Sequence, residues 1–368
     1  MKKTLTAILA AAATVTLAAQ AASAQASAPG DRKAVVQRNL DELTALSQAG
    51  AVVRVVQDGR TWSARSGTAV WGRKTPVPLN GHFRIGSVTK MIVATAALRL
   101  AGEGKVQLDG TVDTYLPGVL KDGGKITVRM LLRHTSGLNS DASNTKYLTD
   151  GALKHRYTHV EVEELVKLSD DSPRDFPPGT RHSYSNANYY LLGMIIQKAS
   201  GKPWAEEATR GLGLRATFYP GDKTKLPRPH ARGYEWVDGK PLDITRLNTT
   251  TAHAAGGMVS TTADLDRFIE RLLSGKVLKP AQLREMLDVT APPPGDQGDG
   301  EPGLGIFRST TPCGKRVYGH SGGISGYATY VASTLDGRHR AVLSLTTASP
   351  KLADPAQLTK VINSLFCG

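Results

Sequence analysis

The sequence predicts an α/β (α+β) fold: one antiparallel sheet built from both ends of the chain and flanked by helices, with a mainly helical part inserted between. Three observations predict it. From residue 51, "AVVRVVQDGRTWSARSG" sets β-branched residues on both sides of Asp58-Gly59, a dipeptide suited to a tight hairpin turn. Near the other end, "GYATYVASTLDGRHRAVLSLTTAS" repeats that pattern around Asp336-Gly337. The middle has a different period. Residues 88–101, 127–133, 160–168, 187–199, 262–273 and 280–287 read as helices joined by loops rich in Gly, Pro, Asp and Ser.

Individual elements carry their own signals. Thr262 is a candidate N-cap, with Leu265, Phe268, Ile269 and Leu272 as the buried stripe of its helix. "TAPPPGDQGDGEPG" at 290–303 is a Pro/Gly-rich connector. The last segment offers Asp354 as N-cap and Pro355 at the first helical position. Its apolar residues Leu358, Val361, Ile362, Leu365 and Phe366 then share one face.

The chain of 368 residues, 40% hydrophobic, is long enough for one large domain. Its first 24 residues, "MKKTLTAILAAAATVTLAAQAASA", combine Lys2 and Lys3, an apolar run and small residues ending Ala22-Ser23-Ala24. They read as a secretory signal cleaved after Ala24. Thr14, Thr16 and Gln20 leave the apolar run short for a membrane span, and no integral membrane segment is expected after cleavage. The expected organisation is a signal over 1–24 and one domain over 25–368. Its sheet part covers about 31–86 plus 301–368, and its helical part about 87–300. The mature protein is expected to be secreted, in the extracellular or cell-envelope space. In that setting Cys313 and Cys367, the two cysteines of the chain, are most simply one disulfide, the alternative being two buried free thiols.

A net charge of +14 favours anionic surroundings. Without a basic run, and with 6% aromatic residues, nucleic acid is not the expected partner. No HExxH or paired CxxC occurs, so neither a metal nor another cofactor is expected.

Two pairs satisfy Ser-x-x-Lys. Ser143 and Lys146 lie among Asn and Asp in a polar loop and read as chance. Ser87 and Lys90 follow Gly86 and open the nearly all-apolar "VTKMIVATAAL". Residues i and i+3 share a helix face, so the amine can lie beside the hydroxyl. Desolvation by an apolar helix favours the neutral amine that accepts a proton. A helix start also supplies free N–H groups for a developing oxyanion. The plain alternative is a capping serine with a solvated lysine. "GHSGG" at 319–323 matches G-x-S-x-G, but strand residues follow it where a nucleophile elbow requires a helix, so Ser321 is not the expected nucleophile.

Ser87-Val88-Thr89-Lys90, Tyr184-Ser185-Asn186 and His320-Ser321-Gly322 occur in that order. Their surroundings are "LLRHTSGL" at 131–138, "FPPGTRHSYSNANYYLLG" at 176–193 and "AAGGMVSTTADLDRF" at 254–268. Over essentially the whole mature chain, this pattern resembles the penicillin-recognising serine hydrolases, which include class C β-lactamases and D-alanyl-D-alanine carboxypeptidases. The cysteine seven residues before His320 and the ending "FCG" look most like the secreted carboxypeptidase branch.

The resemblance implies a β-lactamase/transpeptidase-like fold and a set of roles. Ser87 would be the acylated nucleophile, Lys90 its proton partner and Tyr184 a proton shuttle. Asn186 would bind the substrate amide, and His320 stands where much of the superfamily has lysine. Ser321, Gly322 and Gly323 would line the substrate strand, with Gly322 allowing its close approach. The N–H groups of Ser87 and Gly323 would form the oxyanion hole. Taken singly, Tyr184, Asn186 and His320 have structural readings, and His134 reads as structural. Two departures bear on substrate: the branch's carboxylate-binding arginine has only Arg308, beside Phe307, as counterpart, and Thr251 stands where a pocket aromatic is usual.

The implied activity is serine-type D-Ala-D-Ala carboxypeptidase, with a peptidoglycan stem peptide as substrate and β-lactams as acylating ligands. The alternatives are a class C-like β-lactamase, an esterase or D-amino-acid amidase of the same fold, and a catalytically silent envelope-binding or β-lactam-sensing module. A monomer is the expected state.

Overall fold

The computed structural model describes residues 29–47, 50–148, 151–289, 300–346 and 355–367. The expected signal over 1–24, the connector over 290–299 and the Asp354 cap lie outside the described residues.

Seven strands form an antiparallel sheet in the order β2-β1-β11-β10-β9-β8-β7. Strands β1 (Gly50–Gln57) and β2 (Arg60–Gly67) come from the N-terminal side. The others are β7 (Glu301–Pro302), β8 (Phe307–Thr310), β9 (Arg316–Ile324), β10 (Tyr327–Ser333) and β11 (His339–Thr346). Both expected hairpins form, with Gln57 opposite Arg60 and Ser333 opposite Arg340. The ends of the chain meet where β1 pairs with β11, Val53 opposite Leu343.

Both faces of the sheet are covered, which is why β1 and β11 are apolar at successive positions rather than alternating. On one face Val53, Val55, Leu343 and Leu345 pack against Val36, Leu40 and Leu43 of the Pro29–Ser47 helix, and Val361, Leu365 and Phe366 of the Pro355–Phe366 helix. The N-terminal helix was absent from the sequence analysis, because its charged residues dilute the apolar period. On the other face Tyr318, Ile324, Val331 and Val342 join the core of the helical part. Among the described residues no helix is long and apolar enough to cross a membrane.

The helical part is organised around Thr89–Gly102. Every residue from Thr89 to Leu98 is buried, so this helix is an axis packed on all sides. Asn186–Ser200, His253–Gly256 and Pro280–Leu287 lie against it. The cap of Thr262–Leu273 lies one residue earlier than expected: the Thr261 side chain accepts from the Asp264 N–H, and Thr262 is the first helical residue. Four short strands lie outside the main sheet: β3 (Phe83–Arg84) pairs with β6 (Val259–Ser260), and β4 (Tyr234–Val237) with β5 (Lys240–Asp243). The β4–β5 turn, Asp238-Gly239, is a hairpin signal that the sequence analysis passed over.

Cys313 and Cys367 form a disulfide across a separation of 54 residues, tying the end of the last helix to the β8–β9 connection. Lys315 adds a hydrogen bond from Nζ to the Phe366 carbonyl at 2.8 Å. Closing a loop of that length removes conformational entropy from the unfolded chain. Replacing both cysteines by serine should therefore cost about 2–4 kcal/mol, measured as a lower urea midpoint. An unmoved midpoint would mean that packing alone holds the helix.

Candidate active site

The site begins where β3 runs into the central helix. Gly86 has φ of +51°, a left-handed conformation natural to glycine, and Gly86–Val88 form one 3₁₀ turn before the α-helix starts at Thr89. That turn lifts Ser87 to the surface of the cleft while Lys90, three residues on, is fully buried. The one-turn spacing brings Lys90 Nζ to 3.1 Å from Ser87 Oγ. The same Nζ donates to Asn186 Oδ1 at 2.8 Å and to the Ala255 carbonyl at 2.7 Å. Both of these oxygens are neutral, and both can only accept.

The remaining site groups arrive from two directions. Tyr184 precedes the Asn186–Ser200 helix and is 41% exposed, with Lys90 Nζ 4.7 Å from its ring centroid. His320 lies on β9, 2% exposed, and its ring is 6.3 Å from that of Tyr184. Its Nδ1 is 2.5 Å from the Ser321 carbonyl, an acceptor, so Nδ1 carries a proton. Ser87, Lys90, Tyr184 and His320 thus converge on one place.

Glycines close the seam between the nucleophile turn and β9. A Cβ on Gly86 would stand 2.7 Å from the Gly323 N and O. The Gly323 amide therefore lies against the peptide that carries the Ser87 N–H, the arrangement an oxyanion hole needs. Gly322 also lies at this seam. A Cβ there would meet the Ile85 carbonyl at 2.1 Å, so this glycine is required for packing against the nucleophile turn. Ser321 is a strand residue within β9, in keeping with its exclusion as nucleophile.

Other expected residues have further partners within the protein. Asn186 accepts from Lys90 Nζ through Oδ1 at 2.8 Å, and its Nδ2 donates to Asn144 Oδ1 at 2.9 Å. Arg308 is ion-paired with Glu301 on β7, which holds its pKa above the ordinary value; it is the neighbouring Phe307 whose ring meets His320, at 5.1 Å. Thr251 is 3% exposed and offers no aromatic wall.

Two contributors were missed, and His134, read as structural, supports the site. Asn144 lies inside the Ser-x-x-Lys match read as chance, where Lys146 pairs with Glu164 instead of serving Ser143. The Ala255 carbonyl has no side-chain signature, although "AAGG" marks its place. His134 caps the Val128–Arg133 helix at φ +58° and stacks on Tyr184 with ring centroids 4.4 Å apart. Its Nδ1 accepts from the Ser185 N–H at 3.2 Å and lies 3.0 Å from Asn188 Nδ2. Burial holds its pKa well below 6.5, so the ring is a neutral support for Tyr184.

The chain belongs to the Beta-lactamase family, whose profile matches residues 36–363. Among solved structures it is similar to a D-stereospecific amidohydrolase from Streptomyces sp., 33% identical, with a TM-score of 0.82 over 91% of this chain and 98% of that one. It is also similar to the D-amino acid amidase of Ochrobactrum anthropi SV3 bound to L-phenylalanine amide, 26% identical, TM-score 0.79, over 91% of this chain and 98% of that one. A curated relative is the D-alanyl-D-alanine-carboxypeptidase/endopeptidase AmpH of Escherichia coli K12, 29% identical over 65% of this chain and 62% of that protein. The chain spans about half the length of the curated relatives it matches. Family and fold together make it a serine hydrolase of the penicillin-binding and β-lactamase type.

Two tests follow from this geometry. Gly86→Ala should slow acylation on the order of 10²-fold, the scale of losing one oxyanion donor, because a methyl group must displace the Gly323 amide. Stopped-flow acylation measures it, and a wild-type rate would remove the seam from the chemistry. The second concerns pH. His134 and His253, whose pKa burial lowers to about 3, are neutral when folded but take up protons near pH 6.5 when unfolded. The unfolded state then binds more protons below pH 6.5. Each ring should therefore cost about 1.4 kcal/mol per pH unit as pH falls below 6.5. Urea midpoints that stay level between pH 6.5 and 5 would contradict it.

Proposed function

We propose that this protein is an exported serine hydrolase that opens amide bonds on the carboxyl side of a D-configured residue, through an acyl-enzyme on Ser87. One observation carries the reading: a fully buried lysine amine, held by two neutral acceptors, 3.1 Å from a half-exposed serine hydroxyl.

The neutral amine of Lys90 takes the proton of Ser87 as Oγ attacks the substrate carbonyl carbon. The oxyanion forms against the N–H groups of Ser87 and Gly323. Collapse breaks the C–N bond, and the leaving nitrogen takes a proton through the Tyr184 hydroxyl, which Lys90 resupplies. Water then attacks the ester, giving up its proton along the same path, and the acid leaves with Ser87 restored. No cofactor enters this sequence.

The leaving group decides between two substrate classes. A carboxypeptidase must hold the carboxylate of the departing D-alanine, and the arginine expected to do so is committed to Glu301, with the apolar Phe307 next to His320. An uncharged leaving group needs no such cation. This supports amides and small peptides of D-amino acids, in line with the two similar amidohydrolase structures. Release of terminal D-alanine from peptidoglycan stem peptides is the second reading, favoured by the similarity to AmpH. β-Lactams would acylate the same serine under either reading.

D-phenylalanine amide, its L-enantiomer and a D-Ala-D-Ala tripeptide, each turned over by the mature protein, separate these readings. The D-amide should have the highest kcat/KM, and Ser87→Ala should abolish both turnover and the acyl adduct seen by mass spectrometry. Arg308→Ala should change kcat/KM for the peptide by less than about threefold, as expected of a partly exposed ion pair. A tenfold loss confined to the carboxylate-bearing peptide would restore the carboxypeptidase reading.

A further inference from the structure

We infer that Asn144 is a positioning residue that sets the amide polarity of Asn186 and thereby aims the lone pair of Lys90 at Ser87. The inference rests on the acyl-enzyme reading above and deepens it.

A neutral lysine amine has two N–H donors and one lone pair. The Ala255 carbonyl at 2.7 Å and Asn186 Oδ1 at 2.8 Å each take one N–H. Those two bonds leave the third tetrahedral direction, toward Ser87 Oγ at 3.1 Å, to the lone pair. Everything turns on which end of the Asn186 amide faces Nζ. With the amide reversed, Nδ2–H would occupy the lone pair, and an N–H of Lys90 would point at the serine. The base would then be blocked with every heavy atom in place.

Asn144 opposes that reversal. Its Oδ1 accepts from Asn186 Nδ2 at 2.9 Å, and a reversed amide would set two oxygens against each other. Asn144 is itself held, since its Nδ2 donates to Ser140 Oγ at 3.1 Å. The same Ser140 oxygen accepts the Asn186 backbone N–H at 3.2 Å, so one hydroxyl ties the start of the Asn186 helix to the turn carrying Asn144. That turn is a single π-type turn, Asn144–Leu148, anchored by Tyr147 and Lys146 on Glu164. These bonds hold the Asn144 side chain in place against the Asn186 amide.

The test uses the full mature chain and p-nitrophenyl acetate, with the burst of nitrophenolate reporting acylation of Ser87. Asn144→Ala should slow the burst on the order of tenfold to a hundredfold, because the amide can then reverse. Asn144→Asp keeps the acceptor and forbids reversal. It should recover the burst to within about threefold of wild type at high pH, and its negative charge, favouring the protonated amine, should move the acid limb of the rate profile upward by about half a pH unit or more. An unchanged burst in Asn144→Ala overturns the inference. So does an Asn144→Asp variant as slow as the alanine variant at every pH, which would assign Asn144 a purely structural role. A wild-type burst that survives Ser87→Ala instead removes the acyl-enzyme reading, and this inference with it.

Discussion

A fully buried amine next to a solvent-facing hydroxyl is the constraint on which this structure depends. Moving an ammonium from water into a protein interior costs several kcal/mol, so deep burial favours loss of the proton. Here the ring of neutral acceptors around Lys90 moderates that cost and directs its N–H groups. The amine can thus be stable in the fold and still basic toward Ser87. The apolar helix from Thr89 to Leu98 supplies the dry surroundings, and the 3₁₀ turn over Gly86–Val88 lets the serine escape them. One short segment meets two opposite demands because its helix type changes between the two residues.

The rest of the fold serves that segment by close backbone approach. Strand β9 must pass near enough to the nucleophile turn for two N–H groups to share an oxyanion, and side chains would hold the two apart. Gly86 and Gly322 remove them. The sheet keeps β9 in place through pairing with β10 along its length, from Tyr318 to Ile324, and the terminal helices cover the far face. Fully buried Arg84 helps fix the strand before the turn, donating to the Thr224 and Thr245 carbonyls at 2.8 and 3.0 Å. The buried guanidinium, its pKa lowered by burial to about 10, remains charged at neutral pH. Stability and reactivity therefore use the same contacts.

The hairpins were legible because Asp-Gly turns impose a local geometry, and the six expected helices because each has its own apolar face. The site was legible where chemistry resides in side chains at fixed spacing: Ser87 with Lys90, then Tyr184 and His320 in order. It was illegible where the contribution is tertiary. Asn144 sits in a match that spacing alone could not tell from the real one, since only burial separates Lys90 from Lys146, which stays in solvent beside Glu164. The Ala255 carbonyl belongs to the backbone and has no letter in the sequence. The packing of Gly322 on the Ile85 carbonyl was not legible, because a sequence shows that a side chain is missing and not what occupies its space. The surroundings of Arg308 were hidden for a related reason: a shift of one residue on the short strand β8 exchanges a cation for a phenyl ring beside His320.

That exchange also bears on the energetics of recognition. A carboxylate taken from water into a partly closed cleft loses hydration that only a matching cation or several donors can replace. Arg308 could return to this role only by leaving Glu301, which would then lose its partner and the lowering of its pKa that the pair provides. The penalty falls on every turnover of a carboxylate-bearing peptide and on none of an amide. Phe307 acts in the same direction, since an apolar ring against His320 rewards a leaving group that sheds water easily. Under the amide reading proposed above, selectivity would be set on the leaving-group side, by the Arg308–Glu301 pair that neutralises its own charges before any substrate arrives.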